Sequence, residues 1–275
     1  NRSRPFYVNV WSLLPHATLD PTEEQLKLYE RYAPAGQVPH KGATQIFYAS
    51  VTALDSAVGR LLKRLEELGL TQNTLVLFSS DNGPEDMEIR NASHSGAGSA
   101  GPFRGRKRSL YEGGVRTPLV ARWPGRIRAG RVDDTSVWTG VDFLPTLSKL
   151  AGVTVPADWK LDGEDIGDIL TGQSRPRAKP ILWEWRFRIV GHTLHRSPTL
   201  AIREGNWKLL FNPDRSRVEL YDIARDPSEL HNLASDHPQI VERLAKTAVA
   251  WQKTLPAGPF DPDAGGNAYP WPRER

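Results

Sequence analysis

Apolar residues recur at helical spacing through residues 43–69. They step along the chain by four and by three, which places them on one face of a helix. The members of this stripe are Phe47, Val51, Leu54, Val58, Leu61, Leu65 and Leu68. Gly69 is typical of the residue that ends a helix. The pattern therefore predicts one long helix over this segment.

Continuous apolar runs of strand length lie on either side of this helix. Residues 74–78 form one run directly after it, and residues 6–11 form an earlier one that ends near Pro15-His16. Residues 117–123 form a third, closed by Pro124-Gly125. Unbroken apolar strands that alternate with helices are typical of an α/β layer whose sheet is covered on both faces.

Shorter helices complete the first part of the chain. Pro21 stands in the first turn of one, and Glu23 and Glu24 lie near the positive end of its dipole. Residues 142–150 predict another helix, ended by Gly152.

The pattern changes after about Gly172. Short strands at hairpin spacing follow one another at residues 181–187, 199–203, 207–211 and 218–221. An amphipathic helix then begins near Pro238. This part predicts a small antiparallel sheet packed with one helix.

These elements divide the chain into three predicted parts. Residues 1–172 belong to an α/β core, residues 173–256 form a small α+β subdomain, and residues 257–275 form an irregular tail rich in Pro and Gly. No run approaches roughly 18 unbroken apolar residues, so we expect no membrane span.

The charge of the chain is unevenly distributed although its formal net value is only +4. Basic residues crowd residues 101–131, where Glu112 is the lone acid. A field of one sign concentrates anions. Few aromatic residues interleave with this segment, and glycines and prolines break it, so we expect a small anion or an acidic polymer and no nucleic acid.

Cysteine is absent from the chain. The absence excludes disulfides, zinc–thiolate sites and thiol catalysis within these residues.

Asp81 and Asn82 directly follow a predicted strand. Ligands gather at the carboxyl ends of strands in open α/β sheets. Carboxylate and amide oxygens are the ligands that Ca²⁺ or Mg²⁺ prefers, although Asp-Asn-Gly is also a common turn sequence. Ca²⁺ takes roughly six to eight oxygens, and no nearby acidic cluster supplies the others.

Two further side chains have chemistry that suits an anion site. Lys107 lies in the basic segment, and His16 follows a proline just after a predicted strand, where an imidazole can act as an acid near neutral pH. Each also has an ordinary interpretation, as a solvated lysine and as a hydrogen-bonding histidine.

The order of the motifs resembles the sulfatase family, in particular the arylsulfatases and N-acetylgalactosamine-6-sulfatases of the alkaline-phosphatase-like superfamily. The matching motifs are Pro15-His16, Leu54-Asp55 in the long helix, Ser80-Asp81-Asn82-Gly83, Gly101-Pro102-Phe103-Arg104-Gly105-Arg106-Lys107, Tyr111-Glu112-Gly113-Gly114-Val115-Arg116, Arg122-Trp123-Pro124-Gly125, Glu219-Leu220-Tyr221-Asp222, Asp226-Pro227 and Asn232-Leu233. The resemblance implies the C-terminal half of a sulfatase-like α/β core, followed by the small antiparallel sheet and its helix.

Roles for individual residues follow from the resemblance. Sulfatases hydrolyse sulfate esters with a formylglycine nucleophile and a Ca²⁺ ion. By analogy, Asp81 and Asn82 would be metal ligands, Lys107 would contact the sulfate, and His16 would protonate the leaving alcohol. The residues that would then contact the substrate are His94, Arg104, Arg106 and His195. The implied substrate is a sulfated carbohydrate, such as a glycosaminoglycan or another sulfated polysaccharide, or an aryl sulfate.

One departure from the family is large. The nucleophile motif, Cys/Ser-x-Pro-x-Arg, and the paired aspartates of the metal site lie before the Pro-His element in the family, whereas here that element is near residue 1. Residues 174–178 come near to the motif but lack its final Arg, and they lie in the predicted linker. We therefore expect this chain to act with a missing N-terminal half that supplies the formylglycine, and to have no turnover alone.

Other classes of function remain open. A phosphoesterase or phosphonate hydrolase of the same superfamily would share the scaffold, and a degenerate half-sulfatase would be a non-catalytic binding module. The family tendency implies an extracytoplasmic location, periplasmic or secreted, although no signal peptide is recognisable at residues 1–11.

Overall fold

A computed structural model describes residues 4–33, 42–87 and 90–266, with backbone alone for residues 90–93. The chain forms two compact units. The first comprises Asn1–Leu68 and Pro84–Ser99, and the second comprises Gly69–Gly83 and Ala100–Arg275. The chain therefore passes from one unit to the other three times. Among the described residues, no helix has the length and apolarity needed to cross a membrane.

The first unit is built on two helices, α1 (Glu23–Lys27) and α2 (Ala43–Glu67). Thr22 and Gln25 form a capping box that satisfies free N–H groups at the start of α1. The Tyr29 hydroxyl lies 2.6 Å from the Thr52 hydroxyl and so links the segment after α1 to α2. The long helix predicted from residue 43 is confirmed, and it ends two residues before Gly69.

The surface of this unit differs from the expected one. Residues 6–11 form no strand, and their apolar side chains are exposed, up to 88% at Trp11, so the prediction of a buried strand there is wrong. The apolar stripe of α2 is also partly exposed, at Val51 and Leu61. An extended segment keeps its strand form only when a neighbour satisfies its backbone groups, and no described strand pairs with residues 6–11.

The second unit begins with strand β1 (Val76–Ser79), which pairs with β2 (Leu119–Arg122). Short helices lie before and after β2, namely α3 (Glu112–Val115), α4 (Phe143–Leu150) and α5 (Gly167–Leu170). The two strands are antiparallel, and Phe78 and Val120 are exposed. The α/β class is confirmed, but the prediction of a sheet covered on both faces is wrong for these two strands.

A four-stranded antiparallel sheet follows, in the order β3 (Ile181–Glu184), β4 (Leu200–Glu204), β5 (Trp207–Phe211) and β6 (Val218–Asp222). Helix α6 (Pro238–Gln252) packs its buried residues Leu244 and Ala248 on one face of this sheet. The prediction of a small antiparallel sheet with one helix is confirmed.

Alternation along the strands places a second set of side chains on the other face. Leu209, Phe211 and Leu220 belong to the core beneath α6, whereas Leu210 and Tyr221 pack with Tyr111. This second core anchors residues 101–116, the first part of the basic segment, against the sheet. The sheet is therefore the support on which that segment is held.

Candidate functional site

Three glycines pack the loop after β1 against the basic segment. The Gly83 N–H donates to the Gly114 carbonyl at 2.9 Å, and the Gly113 N–H donates to the Arg104 carbonyl at 2.6 Å. A Cβ on Gly83 would lie 1.8 Å from the Gly113 carbonyl oxygen. Only glycine permits backbone segments to approach so closely. The contact brings Asp81-Asn82 next to the segment that carries Lys107.

Gly113 and Gly114, which we call the glycine pair, are constrained by further backbone contacts. A Cβ on Gly113 would lie 2.2 Å from the Gly105 carbonyl oxygen, and one on Gly114 would lie 2.1 Å from the Ser109 carbonyl oxygen. The pair is therefore enclosed between the Asp81 loop and the loop formed by residues 104–109.

Lys107 occupies the tip of a tight turn within that loop. The Ser109 N–H donates to the Arg106 carbonyl at 3.0 Å, and Arg108 takes a left-handed conformation with φ +74°. A positive φ at the third residue of a turn is typical of type II. Lys107 is half-buried and Arg106 is buried. The turn presents the lysine while its neighbour packs inward.

Asp81 and Asn82 differ in exposure. Asp81 is exposed, and no described residue hydrogen-bonds to its carboxylate. Asn82 is half-buried, and its Nδ2 donates to the Gly83 carbonyl at 2.7 Å, which leaves its Oδ1 as an acceptor. The Ser80 hydroxyl donates to the Asn82 carbonyl at 3.0 Å and so shapes the loop. The pair therefore offers two side-chain oxygens of the hard type.

Within the described residues, no group of three or more His, Cys, Asp or Glu side chains is placed to hold a metal ion. The donor chemistry of Asp81 and Asn82 suits Ca²⁺, but two side chains supply fewer oxygens than the roughly six to eight that this ion takes. The described residues therefore fit part of a calcium site and do not form one by themselves.

Arg104 has mainly internal partners. Its guanidinium lies over the Tyr111 ring at 3.7 Å and donates to the Tyr221 hydroxyl at 3.0 Å and to the Glu229 carbonyl at 3.2 Å. Its side chain is only 6% exposed, and Glu219 lies 3.5 Å away. Burial alone would lower the pKa of Arg104, but the surrounding Tyr111 and Glu219 raise it.

Tyr111 forms the centre of this polar network. Its hydroxyl donates to Glu219 at 2.7 Å and accepts from Arg217 at 3.0 Å. Burial, followed by the Glu219 carboxylate, holds the pKa of the phenol well above its usual value, so the hydroxyl remains a donor. The Tyr-Glu-Gly-Gly motif is thus fixed to β6 through its tyrosine.

His195 lies close to the same network. The 3₁₀ turn Thr193–His195 is capped by His192, whose Nδ1 accepts from the Leu194 N–H at 3.2 Å. Arg104 Nε donates to the Leu194 carbonyl at 3.4 Å. The structure therefore brings the His195 turn beside the basic segment.

His16 and His94 lie in the first unit. His16 is exposed, and its Nδ1 lies 2.7 Å from the Ala17 carbonyl oxygen, so Nε2 is the ring nitrogen that makes no hydrogen bond to the described residues. His94 is half-buried in the 3₁₀ segment Arg90–Ala97.

A buried charged cluster lies where α3 meets the sheet. Lys208 is fully buried on β5, and its Nζ lies 2.8 Å from Glu112 Oε1 and 2.9 Å from Glu229 Oε1. Glu229 Oε2 accepts from the Glu112 N–H at 2.6 Å. We refer to Glu112, Lys208 and Glu229 as the charged triad.

The two carboxylates of the triad titrate differently. Burial raises the pKa of Glu229 to about 7, because Lys208 only partly offsets it. Burial would also raise the pKa of Glu112, but Lys208, Arg203 and Arg116 together lower it below its usual value. The two carboxylates in turn raise the pKa of Lys208 against the effect of burial. The neighbouring cations thus keep Glu112 ionised, while Glu229 holds its proton up to about neutral pH.

The near-match to a nucleophile motif, residues 174–178, has structural partners. Arg177 forms a two-pronged ion pair with the fully buried Asp142, at 2.5 and 2.7 Å. Arg175 pairs with Glu164 and Asp168. Both arginines therefore tie residues 174–178 to residues 142–168.

Sequence reasoning missed the charged triad as a unit. Glu112 lies within the Tyr-Glu-Gly-Gly motif, but the motif does not indicate that Lys208 and Glu229 are its partners. A signal was present at Lys208, a lone charge inside the apolar strand Trp-Lys-Leu-Leu-Phe, since such a lysine on a buried strand needs acidic partners. Glu229 carries no such signal, because it lies in a loop.

Family models match most of the chain. Residues 1–153 match the model described as Sulfatase, and residues 101–253 match the model described as N-sulphoglucosamine sulphohydrolase, C-terminal.

Individual relatives agree with the family models. The chain is 30% identical over 216 residues to an N-acetylgalactosamine-6-O-sulfatase of Bacteroides thetaiotaomicron, a match that covers 71% of this chain and 40% of the relative. It is 32% identical over 223 residues to human arylsulfatase A, covering 72% of this chain and 41% of that enzyme. The chain thus spans about two fifths of the length of these relatives.

A solved structure supports the same relationship. The crystal structure of Ps i-CgsB superposes with a TM-score of 0.69 at 25% identity, over 86% of this chain and 48% of that one.

Proposed function

This chain belongs to the sulfatase family, and from that premise we propose that it forms the C-terminal part of an enzyme that hydrolyses sulfate esters of carbohydrates. The observation that carries the proposal is the glycine packing that holds Asp81-Asn82 against the Lys107 turn. Hard oxygen ligands and a lysine on adjoining loops suit a small, multiply charged oxyanion. A sulfated amino sugar is the substrate class that we favour, since the relative from Bacteroides acts on one by name.

We assign the following roles within this chain. The Lys107 ammonium stabilises negative charge that gathers on the sulfuryl oxygens, an effect of about 10²–10³ in rate for one well-placed donor. His16 donates a proton from its Nε2 to the departing alcohol, an effect worth about 10²–10⁴ in rate. Asp81 and Asn82 supply two oxygens to a Ca²⁺ ion, which would balance sulfate charge when bound.

The remaining parts of the site come, in this proposal, from sequence outside these residues. The formylglycine needs a Cys/Ser-x-Pro-x-Arg motif, and no five residues of this chain match it. The exposed apolar residues of α2 and β2, such as Leu61 and Val120, support packing against the rest of a sulfatase α/β core. An extracytoplasmic location is part of the same proposal.

Arg104, Arg106, His94 and His195 have different places in this proposal. His195 and His94 remain candidates for contact with the sugar. Arg104 and Arg106 are buried, and we assign them to holding the Lys107 turn rather than to binding substrate.

The experiment is a comparison of variants in a polypeptide that joins this chain to a region carrying the nucleophile motif. Lys107→Met and His16→Ala should each lower kcat/KM on a sulfated N-acetylgalactosamine by at least about 100-fold. Lys160→Met, at an exposed lysine of the second unit, is the matched control and should leave the rate unchanged. Equal rates for Lys107→Met and Lys160→Met would refute the role of Lys107.

The same assay separates the other function classes. Faster hydrolysis of a phosphonate monoester than of the sulfate ester would favour the related phosphonate hydrolases. Retention of sulfated saccharide without turnover would favour a binding module. The 275-residue chain alone should show no turnover and only weak Ca²⁺ binding, and a submicromolar calcium site measured by calorimetry would contradict the partial ligand set.

A further inference from the structure

The charged triad adjoins the glycine pair, Gly113 and Gly114. Glu112 is the first residue of α3, and the glycines that contact the Asp81 loop and the Lys107 loop are the next two residues. Any movement of Glu112 is therefore passed directly to Gly113 and Gly114.

The triad holds the Glu112 backbone as well as its side chain. Glu229 Oε2 accepts the Glu112 N–H at 2.6 Å, and this donor at the first turn of α3 has no partner within the helix. Lys208 on β5 holds the side chain, since its Nζ lies 2.8 Å from Glu112 Oε1. Glu229 itself sits in a left-handed conformation with φ +56°, a backbone form that a β-carbon disfavours. Its carboxylate is shared between the Glu112 N–H and the Lys208 ammonium.

A cluster of this kind is a poor source of stability, since well-packed apolar residues often serve as well or better. It does, however, fix geometry, because charge-assisted hydrogen bonds are short and strong and hold their partners closely. Charges from several elements face it: Arg104 from the basic segment donates to the Glu229 carbonyl, and Arg203 from β4 and Arg116 lie near Glu112. With one proton on Glu229, the three triad residues carry no net charge, and without it they carry one buried negative charge.

We propose that Glu112, Lys208 and Glu229 are positioning residues, which fix the glycine pair and thereby the spacing between the Asp81-Asn82 loop and the Lys107 turn, and that the proton on Glu229 controls how firmly they do so. The proposal rests on the proposed function only for the roles given to Asp81, Asn82 and Lys107. The positioning itself concerns backbone contacts that can be measured without any activity.

The test is amide hydrogen exchange of the full 275-residue chain between pH 6 and pH 8, corrected for the intrinsic pH dependence of exchange. The variants are Glu229→Gln, which keeps an acceptor for the Glu112 N–H but cannot ionise, Glu229→Ala, which removes it, and Lys208→Met. The matched control is Glu204→Gln, at a partly exposed glutamate on β4 that pairs with Arg243.

In the unmodified chain, corrected exchange in residues 80–83 and 104–116 should rise severalfold from pH 6 to pH 8. Glu229→Gln should flatten this pH profile, whereas Glu229→Ala and Lys208→Met should speed exchange there about tenfold at both pH values, with β5, β6 and α6 still protected. Glu204→Gln should match the unmodified chain.

Two results would overturn the proposal. A pH rise that persists in Glu229→Gln would remove Glu229 as the controlling group. Equal acceleration throughout β4–β6 and α6 in Glu229→Ala would mean that the triad stabilises the unit as a whole and does not position the loops. Because exchange is the readout, either result would hold whether or not the protein hydrolyses sulfate esters.

Discussion

Replacing Gly113 by alanine tests the backbone packing on which the candidate site depends. The added Cβ would lie 2.2 Å from the Gly105 carbonyl oxygen, 2.6 Å from that of Arg104 and 2.8 Å from that of Phe103. All three atoms belong to the backbone, so no side chain can rotate away to relieve the contact. Gly113 is itself buried, so the strain cannot be released into solvent.

The expected cost follows from this geometry. Overpacking a buried site costs about 1–3 kcal/mol, and three simultaneous backbone contacts place Gly113→Ala near the upper end. The lower chain entropy of alanine in the unfolded state returns only about 0.4–1 kcal/mol. We therefore expect the free energy of unfolding to fall by about 2 kcal/mol.

Gly140→Ala is the matched control for this variant. Gly140 lies in the same unit, no atom is within 4 Å of its added Cβ, and its φ lies outside the left-handed region. Urea titration followed by far-ultraviolet circular dichroism should show Gly113→Ala unfolding earlier and Gly140→Ala unchanged within about 0.5 kcal/mol. Equal midpoints for the two variants would refute the view that these carbonyls are rigidly placed.

Three other predictions concern single side chains. Arg177→Met leaves the buried Asp142 without its cation and should cost about 3 kcal/mol, whereas Arg175→Met, at a side chain one-third exposed, should cost about 1 kcal/mol or less in the same urea titration. The fold raises the pKa of Glu229 from 4.5 to about 7. The contribution of the protonated carboxyl to the free energy of unfolding is therefore complete below pH 4.5 and is lost as the pH rises through 7. This fall in the free energy of unfolding, on the order of 3 kcal/mol, should be absent from the pH–stability curve of Glu229→Gln. Gly59→Ala, inside α2 with open space around its Cβ, should slow amide exchange of α2 by an amount equivalent to about 1 kcal/mol.

Local patterns were sufficient to predict most of the regular elements. The four-three spacing placed α2 within two residues, and the short apolar runs placed β3 to β6 and α6. These elements depend on side-chain periodicity and on end signals such as Gly69 and Pro238, which act over a few residues. The prediction of a strand at residues 6–11 was wrong because a strand also needs a neighbouring strand, which its own residues do not specify.

The candidate site divides in the same way. Asp81, Asn82 and Lys107 carry their chemistry in their own side chains and in adjacent glycines, so the sequence identified them as candidates. The role of Arg104 was not predictable, because its partners Tyr221 and Glu229 lie more than a hundred residues away. Partners so distant are brought together only by the sheet register.

The three passages of the chain between its two units limit how the protein can be divided. The first unit takes in Pro84–Ser99 as a detour between Gly83 and Ala100, both of which belong to the second unit. No single truncation or proteolytic cut can release either unit whole, so neither unit is an independent module made of one continuous stretch of chain. Changes in the length of the detour, by contrast, need not disturb the Gly83–Gly114 hydrogen bond, because both of its residues lie in the second unit.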